Sequence, residues 1–118
     1  MAQSLLITIA RESIEEVLRA ENTIEYSRLL EEYPVLGQKM ATQINLYLGD
    51  EVRGSARSET AERPLLEDII RNAKLAAFQN DPLPPLATSE YLRASVELIL
   101  FSSEGPLRHR DGPILKEA

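Results

Sequence analysis

The stretch MATQINLYLGDEVRGSARS at residues 40–58 decides the fold class, because its side chains alternate with a period of two. Such alternation is typical of a β-strand that buries one face. The predicted inner positions of the first strand are Thr42, Ile44, Leu46 and Leu48. Gly49-Asp50 then predicts a two-residue hairpin turn, since glycine adopts positive φ without strain.

The return strand of this hairpin, predicted at residues 51–58, is also the candidate binding surface. Its inner face is expected to hold Val52, Gly54 and Ala56, and its outer face Glu51, Arg53, Ser55 and Arg57. The candidate ligand residues are Arg53, Gly54, Ser55 and Arg57. Arginine donates paired hydrogen bonds to an anion, and glycine lets the backbone approach a ligand closely. The alternative is an exposed edge strand that charge keeps from aggregating.

Helical periodicity flanks the hairpin on both sides. Apolar residues recur at steps of three and four over residues 4–19 and, in a wider stripe that begins at Pro64, as far as residue 79. A shorter helix is predicted at residues 23–33. Residues 94–101 predict a further strand, whose apolar run indicates that both of its faces are covered. We therefore predict an α+β domain with helices packed on a mostly antiparallel sheet.

Length and composition exclude several classes of protein. The 118 residues suit one domain, predicted at residues 1–107, with a polar tail or a short extra strand at residues 108–118. Without cysteine and with one histidine, the chain has no thiol nucleophile and no multi-histidine centre, so we expect no metal and no cofactor. The net charge of −6 argues against nucleic acid or an anionic membrane as partner.

The amino-terminal segment gives no targeting signal. It is apolar but lacks a basic start, and charges follow from Arg11 onward, so no signal peptide is expected. No run approaches the 18 apolar residues that a membrane span needs. A cytoplasmic location is therefore expected.

A proline-rich loop follows the longest predicted helix. The sequence DPLPPL at residues 81–86 has to run extended, because each proline fixes φ and removes a backbone donor. We interpret the loop as a candidate contact with a partner protein. The residues proposed for that contact are Asp81, Pro82, Pro84 and Pro85.

The order of these landmarks resembles the AMMECR-one family, named for the AMME-syndrome chromosomal region. LLITIAR at residues 5–11 is similar to its Leu-Leu-x-Leu-Ala-Arg helix, and INLYLGDEVRG at residues 44–54 to its strand, turn and start of the Leu-Arg-Gly-Cys-Ile-Gly signature. RPLLEDII at residues 63–70 and DPLPPL at residues 81–86 resemble its proline-started helix and the loop that follows. The resemblance spans about residues 5–107.

Two departures from the family pattern bear on function. Ser55 stands where relatives carry the signature cysteine, and Ala56-Arg57 replaces the following Ile-Gly. The family pattern also continues into further strands. The resemblance implies no settled activity, but prokaryotic members occur beside or fused with Memo-like and radical S-adenosylmethionine proteins, which implies work alongside a modification pathway.

The leading hypothesis is a non-catalytic domain that binds a partner protein or a small anionic ligand, with homo-oligomerisation as a way to cover an unpaired sheet. A rival hypothesis is a modification enzyme whose cleft is lined by Arg53, Ser55, Glu67 and Asp81, with Glu67 orienting Arg53. Ser55 as a nucleophile would need a nearby base. A third hypothesis is a structural subunit, which predicts a large apolar patch on the sheet.

Overall fold

The hairpin and the helices predicted from the sequence are present in the computed structural model, which describes residues 4–79 and 83–114. The elements in chain order are α1 (Leu5–Arg19), α2 (Tyr26–Glu32), a 3₁₀ turn (Pro34–Gly37), β1 (Ala41–Leu48), β2 (Glu51–Arg57), α3 (Leu65–Phe78), α4 (Thr88–Arg93), β3 (Ser95–Ser102) and β4 (Gly105–Arg110). The strands form one antiparallel sheet in the order β2-β1-β3-β4. The α+β class is therefore confirmed. None of the described helices is both long and apolar enough to cross a membrane.

The core lies between the helices and one face of the sheet. Ile14 of α1 and Ile69 of α3 are fully buried there, together with Ile44 and Leu46 of β1 and Leu98 of β3. The strand residues follow the alternation that the sequence predicts, with every second side chain directed at the helices. Burial of each large aliphatic side chain contributes roughly 1.5–3 kcal/mol.

A buried carboxylate fixes α3 to the hairpin. Asp68 accepts hydrogen bonds from the amide and the hydroxyl of Thr42, at 2.8 and 2.7 Å, and from the hydroxyl of Ser58 at 2.6 Å. Arg63 neutralises the charge at 2.7 Å, and Asn72, one turn along α3, donates to the Thr42 carbonyl at 3.1 Å. The carboxylate is fully enclosed yet satisfied, so this cluster sets the position of α3 over the sheet.

A β-bulge interrupts the hairpin. Leu46 pairs with Gly54 but Tyr47 pairs with Val52, which leaves Arg53 as an extra residue on β2. The predicted alternation is therefore correct at Gly54 and wrong at the two residues before it. Val52 is 54% exposed, and Arg53, predicted to point outward, is only 7% exposed.

The second face of the sheet carries no helix in the described parts of the chain. Ile99 and Glu97 lie on that face and are nevertheless buried, at 7% and 5% exposure, although Ile99 is not part of the apolar cluster that packs against the helices. The prediction that both faces of residues 94–101 are covered is therefore correct for the middle of the strand, residues 96–100, where neighbouring side chains of the sheet bury the outer face. The one-sided packing leaves a broad sheet surface open.

The last strand, β4, extends beyond residue 107, into the segment for which the sequence predicts either a polar tail or a short extra strand. β4 extends to Arg110, so residues 108–110 belong to the sheet and not to a polar tail. At Ile114 the chain is bent and not extended in a strand, and Leu115 lies outside the described residues.

Candidate functional site

The open face is the sheet surface opposite the helices, defined by the side chains that the strand pairing directs to that side. Its residues are Gln43, Asn45 and Tyr47 on β1, Val52, Ser55 and Arg57 on β2, Ser95, Glu97, Ile99 and Phe101 on β3, and Pro106, Arg108 and Arg110 on β4. Most of these side chains are polar or charged. Among the described residues, this face does not carry the large apolar patch that the structural-subunit hypothesis predicts.

Glu97 lies at the centre of the open face and is only 5% exposed. Its carboxylate accepts hydrogen bonds from the Asn45 amide at 2.8 Å and the Tyr47 hydroxyl at 3.0 Å, and Arg108 approaches to 3.3 Å. Burial alone would raise the pKa of Glu97, but these hydrogen bonds and the charges of Arg108 and Arg110 outweigh burial and hold that pKa below its ordinary value. The carboxylate is thus a charged, fixed anchor for its neighbours.

The Asn45 side chain extends this network towards the hairpin edge. Its carbonyl oxygen accepts hydrogen bonds from the Ser55 hydroxyl at 2.7 Å and from the Gln43 amide at 3.0 Å. The open face therefore has one hydrogen-bonded row that runs across three strands from Ser55 to Glu97. His109 pairs with Leu98 on β3, which puts its side chain on the helix side of the sheet, away from Ser55.

Two arginines cover the aromatic rings of the open face. The Arg57 guanidinium carbon lies 5.0 Å from the Phe101 ring centre, and that of Arg110 lies 4.5 Å from the Tyr47 ring centre, which are cation–π distances. Together with Arg108, the face carries three positive side chains against the single carboxylate of Glu97. A net positive face on a chain of net charge −6 is a marked asymmetry of charge.

Arg53 is directed away from the open face by the bulge. It donates two hydrogen bonds to the Glu90 carboxylate, at 2.8 and 3.2 Å, and one to the Pro84 carbonyl at 2.6 Å. The Arg53 hydrogen bond and the amide of Ala87 lower the pKa of Glu90, against the opposite effect of burial. Arg53 therefore fastens α4 and the loop before it to β2.

The predicted site residues are not brought together as one group. Ser55 and Arg57 share the open face, Gly54 is buried on the helix side, and Arg53 holds Glu90. Pro84 supplies its carbonyl to Arg53, and the exposed Pro85 follows it in the same loop, while Asp81 and Pro82 lie outside the described residues.

The described residues of the rival enzyme hypothesis do not line one cleft. Glu67 is exposed on the outer side of α3, and the carboxylate that contacts Arg53 is that of Glu90, not Glu67. Ser55 lies on the opposite face of the sheet from α3. Within the described ranges, no three acidic or histidine side chains cluster as metal ligands.

Sequence reasoning missed most of the open face, in particular Asn45, Glu97, Arg108 and Arg110. One usable signal was the lone acidic residue at position 97 in an otherwise apolar strand, because a buried carboxylate needs partners. The other was the alternation of Arg108 and Arg110, which places both side chains on one face once the segment is read as a strand.

Comparison with known proteins adds a family and a solved fold. The AMMECR1 family model, which describes the AMMECR-one family, matches residues 7–114. The crystal structure of an uncharacterised protein from Pyrococcus horikoshii superposes with a TM-score of 0.71 at 28% sequence identity, covering 80% of this chain and 48% of that chain. The chain thus spans about half the length of this relative. No curated protein matches the sequence at a significant level.

Proposed function

Because this chain belongs to the AMMECR1 family, we propose that it is a non-catalytic binding domain whose open face docks a partner protein. The observation that carries the proposal is the open face itself, a four-stranded surface with hydrogen-bonded, positively charged side chains. A sheet surface that is this broad and uncovered is suited to contact with another macromolecule.

The side chains of the open face are held before any partner arrives. Asn45, Tyr47 and Arg108 are fixed by Glu97, while Arg110 is fixed by the Tyr47 ring. A surface whose side chains are already ordered loses less conformational entropy when it binds. Its net positive charge favours an acidic partner surface.

The spacing of the arginines favours a large partner over a small anion. Arg57 and Arg108 lie in the same row of the sheet, on β2 and β4, at opposite edges. Three strand spacings separate their backbones, roughly 14 Å. One small anion does not span that distance, whereas a protein surface does.

The pathway part of the proposal rests on family context. Prokaryotic relatives occur beside or fused with Memo-like and radical S-adenosylmethionine proteins, so we propose that the partner belongs to a modification pathway of that type. The absence of a shared cleft for Arg53, Ser55 and Glu67 supports a binding role within it.

Capture of the native partner tests the proposal. Tagged wild-type protein would be compared with the Arg57→Glu/Arg110→Glu variant of the open face, and with the Arg71→Glu/Arg28→Glu variant of the exposed helix surfaces, which has the same change in charge. We expect a specific protein to be retained by the wild type and the helix variant and lost from the open-face variant. Equal retention by all three proteins would contradict docking at this face.

The identity of the captured protein tests the pathway. A Memo-like or radical S-adenosylmethionine protein in the specific fraction supports this part of the proposal. A specific partner of another class would refute the pathway and leave the docking role in place.

A further inference from the structure

The two edges of the sheet differ in their capacity to pair with another strand. β2 carries the bulge at Arg53, which disrupts its ladder, whereas β4 pairs with β3 without a shift of register. β4 is the last strand of the sheet, and none of the described residues pairs with its outer edge. The regular edge is therefore that of β4.

Antiparallel alternation identifies the backbone groups on that outer edge. The Asp111 amide donates to the Val96 carbonyl at 3.1 Å, so the residues two and four positions earlier also direct their backbone towards β3. Pro106, Arg108 and Arg110 consequently direct theirs outward. The proline fits this position, because an outward position needs no amide donor within the sheet.

The chain after β4 leaves this edge uncovered as far as it is described. Arg11 of α1 binds the Asp111 carboxylate through two hydrogen bonds, at 2.8 and 3.1 Å, and donates to the Gly112 carbonyl at 3.1 Å. Ile114 then lines a groove with Leu18 of α1. The chain therefore turns to the helix layer and does not fold back along β4.

The side chains at this edge specify the chemistry of an added strand. Arg108 and Arg110 lie on the open face, and the Arg108 side chain is 66% exposed although Glu97 holds it in place. On the helix side, Leu107 is 52% exposed, which is high for a leucine in a sheet. Cross-strand neighbours of these residues would therefore be two carboxylates on one face and an apolar side chain on the other.

From these features we infer that the outer edge of β4 accepts an extended acidic segment of the partner protein as a fifth, antiparallel strand. Read along the incoming strand, the segment has the pattern acidic, any residue, acidic, apolar, opposite Arg110, His109, Arg108 and Leu107 respectively. This inference rests on the proposed function, and it specifies how and with what chemistry the partner docks.

A second copy of the chain fits this edge poorly. Two β4 strands paired antiparallel about a two-fold axis would bring Arg108 and Arg110 of one copy against the same arginines of the other. Like charges directly opposite each other across strands are destabilising. Charge complementarity therefore favours an acidic partner over self-association at this edge.

A designed peptide tests the inference directly. The probe is a fluorescent peptide with blocked ends that contains two repeats of Glu-Thr-Glu-Val, and its binding to the full chain is followed by fluorescence anisotropy. We expect Arg108→Gln/Arg110→Gln to weaken binding by about tenfold, since two cross-strand ion pairs are lost. The matched variant Arg71→Gln/Arg28→Gln is expected to bind as the wild type does.

Backbone pairing is tested separately from charge. Methylation of the alternate backbone nitrogens that would donate hydrogen bonds to β4 keeps the charges of the probe but prevents strand addition. We therefore expect binding to be lost. Hydrogen exchange followed by NMR gives the site: the amides of Arg108 and Arg110 should exchange quickly in the free protein and become protected when the probe binds.

Four outcomes would overturn the inference. These are no binding of the probe at millimolar concentration, unchanged binding after methylation, binding without protection of the two amides, and amides already protected in a dimer without probe. Any of these can occur while the captured partner still depends on the open face, in which case docking stands and strand addition fails. Equal retention of the partner by the wild type and by the Arg57→Glu/Arg110→Glu and Arg71→Glu/Arg28→Glu variants would instead contradict the proposed function.

Discussion

The guanidinium of Arg11 and the carboxylate of Asp111 form a two-point ion pair between residues 100 positions apart in the chain, at 2.8 and 3.1 Å. The same carboxylate accepts the Val96 amide at 2.8 Å, and the Arg11 guanidinium carbon lies 5.1 Å from the Tyr91 ring centre. Arg11 is nearly buried, and its ion pair joins the first helix to the end of the last strand. The pair thus closes the fold around the core.

Loss of the Asp111 carboxylate should destabilise the protein strongly. Asp111→Asn leaves Arg11 buried without its counter-charge, and we expect a loss of about 3–5 kcal/mol in the free energy of unfolding. Urea denaturation measures this quantity. The matched change Glu32→Gln at the exposed Arg28 pair should cost under about 1 kcal/mol, and similar losses for the two variants would contradict a structural role of the Arg11 pair.

Asp68 should be far more sensitive to substitution than its neighbour in sequence. Asp68→Asn removes a buried carboxylate that binds Thr42, Ser58 and Arg63, so we expect a loss of about 2–4 kcal/mol in unfolding free energy. Glu67→Gln changes an exposed side chain of the same helix and should stay within about 0.5 kcal/mol. Guanidinium denaturation of both variants provides the comparison, and a tolerated Asp68→Asn would refute the anchoring role of Asp68.

Stability should fall in acid because folding lowers the pKa of Glu97. The pKa is below the ordinary value of 4.5 in the folded protein, where burial is outweighed by the Asn45 and Tyr47 hydrogen bonds. The unfolded chain therefore binds the proton more readily, so the stabilisation is present above about pH 4.5 and is lost as the pH falls through the folded-state pKa. Thermal unfolding between pH 7 and pH 3 should show a weaker acid dependence for Glu97→Gln than for the wild type; equal slopes would contradict this assignment.

Arg53 should control the local stability of α4. Arg53→Ala removes the hydrogen bonds to Glu90 and Pro84, and we expect faster hydrogen exchange over Thr88–Arg93 than in the wild type. Arg53→Lys should rescue little, because lysine keeps the charge but not the paired geometry. Arg57→Ala, on the same strand but the open face, serves as the control, and an equal acceleration in that variant would argue against a specific contact.

The hairpin was predictable because it depends on local chemistry. The two-residue period of β1 and the glycine of the turn, Gly49 at φ 64°, act within a few residues of each other. The periodicity of α1 and α3 is likewise a local property, and it placed their bounds within one or two residues. The collinear motifs then pointed to the family that the comparison shows.

The bulge and β4 depend on partners that are distant in sequence. Alternation assumes one residue per pair, and nothing local in Val52-Arg53-Gly54 marks the extra residue. The burial of Arg53 is made favourable by its contacts with Glu90 and Pro84, which are 37 and 31 residues away. β4 has no run of apolar residues that would mark it as a strand in the sequence. It is a strand because its backbone pairs with β3. The sequence therefore did not predict the open face. Two of its three arginines lie on β4, and the bulge determines which side chains of β2 lie on it.

Because the described helices pack on only one face of the sheet, β1 and β3 contribute one set of side chains to the core and another to the outer surface. Every second side chain of β1 and β3 packs on the helices, and the side chains between them meet whatever lies outside, so the two sets share no member. Substitutions at the half-buried Gln43 or Ser95 therefore alter the outer surface without creating a cavity in the core. The outer surface of the sheet can therefore change in sequence between related chains while the core beneath it stays the same.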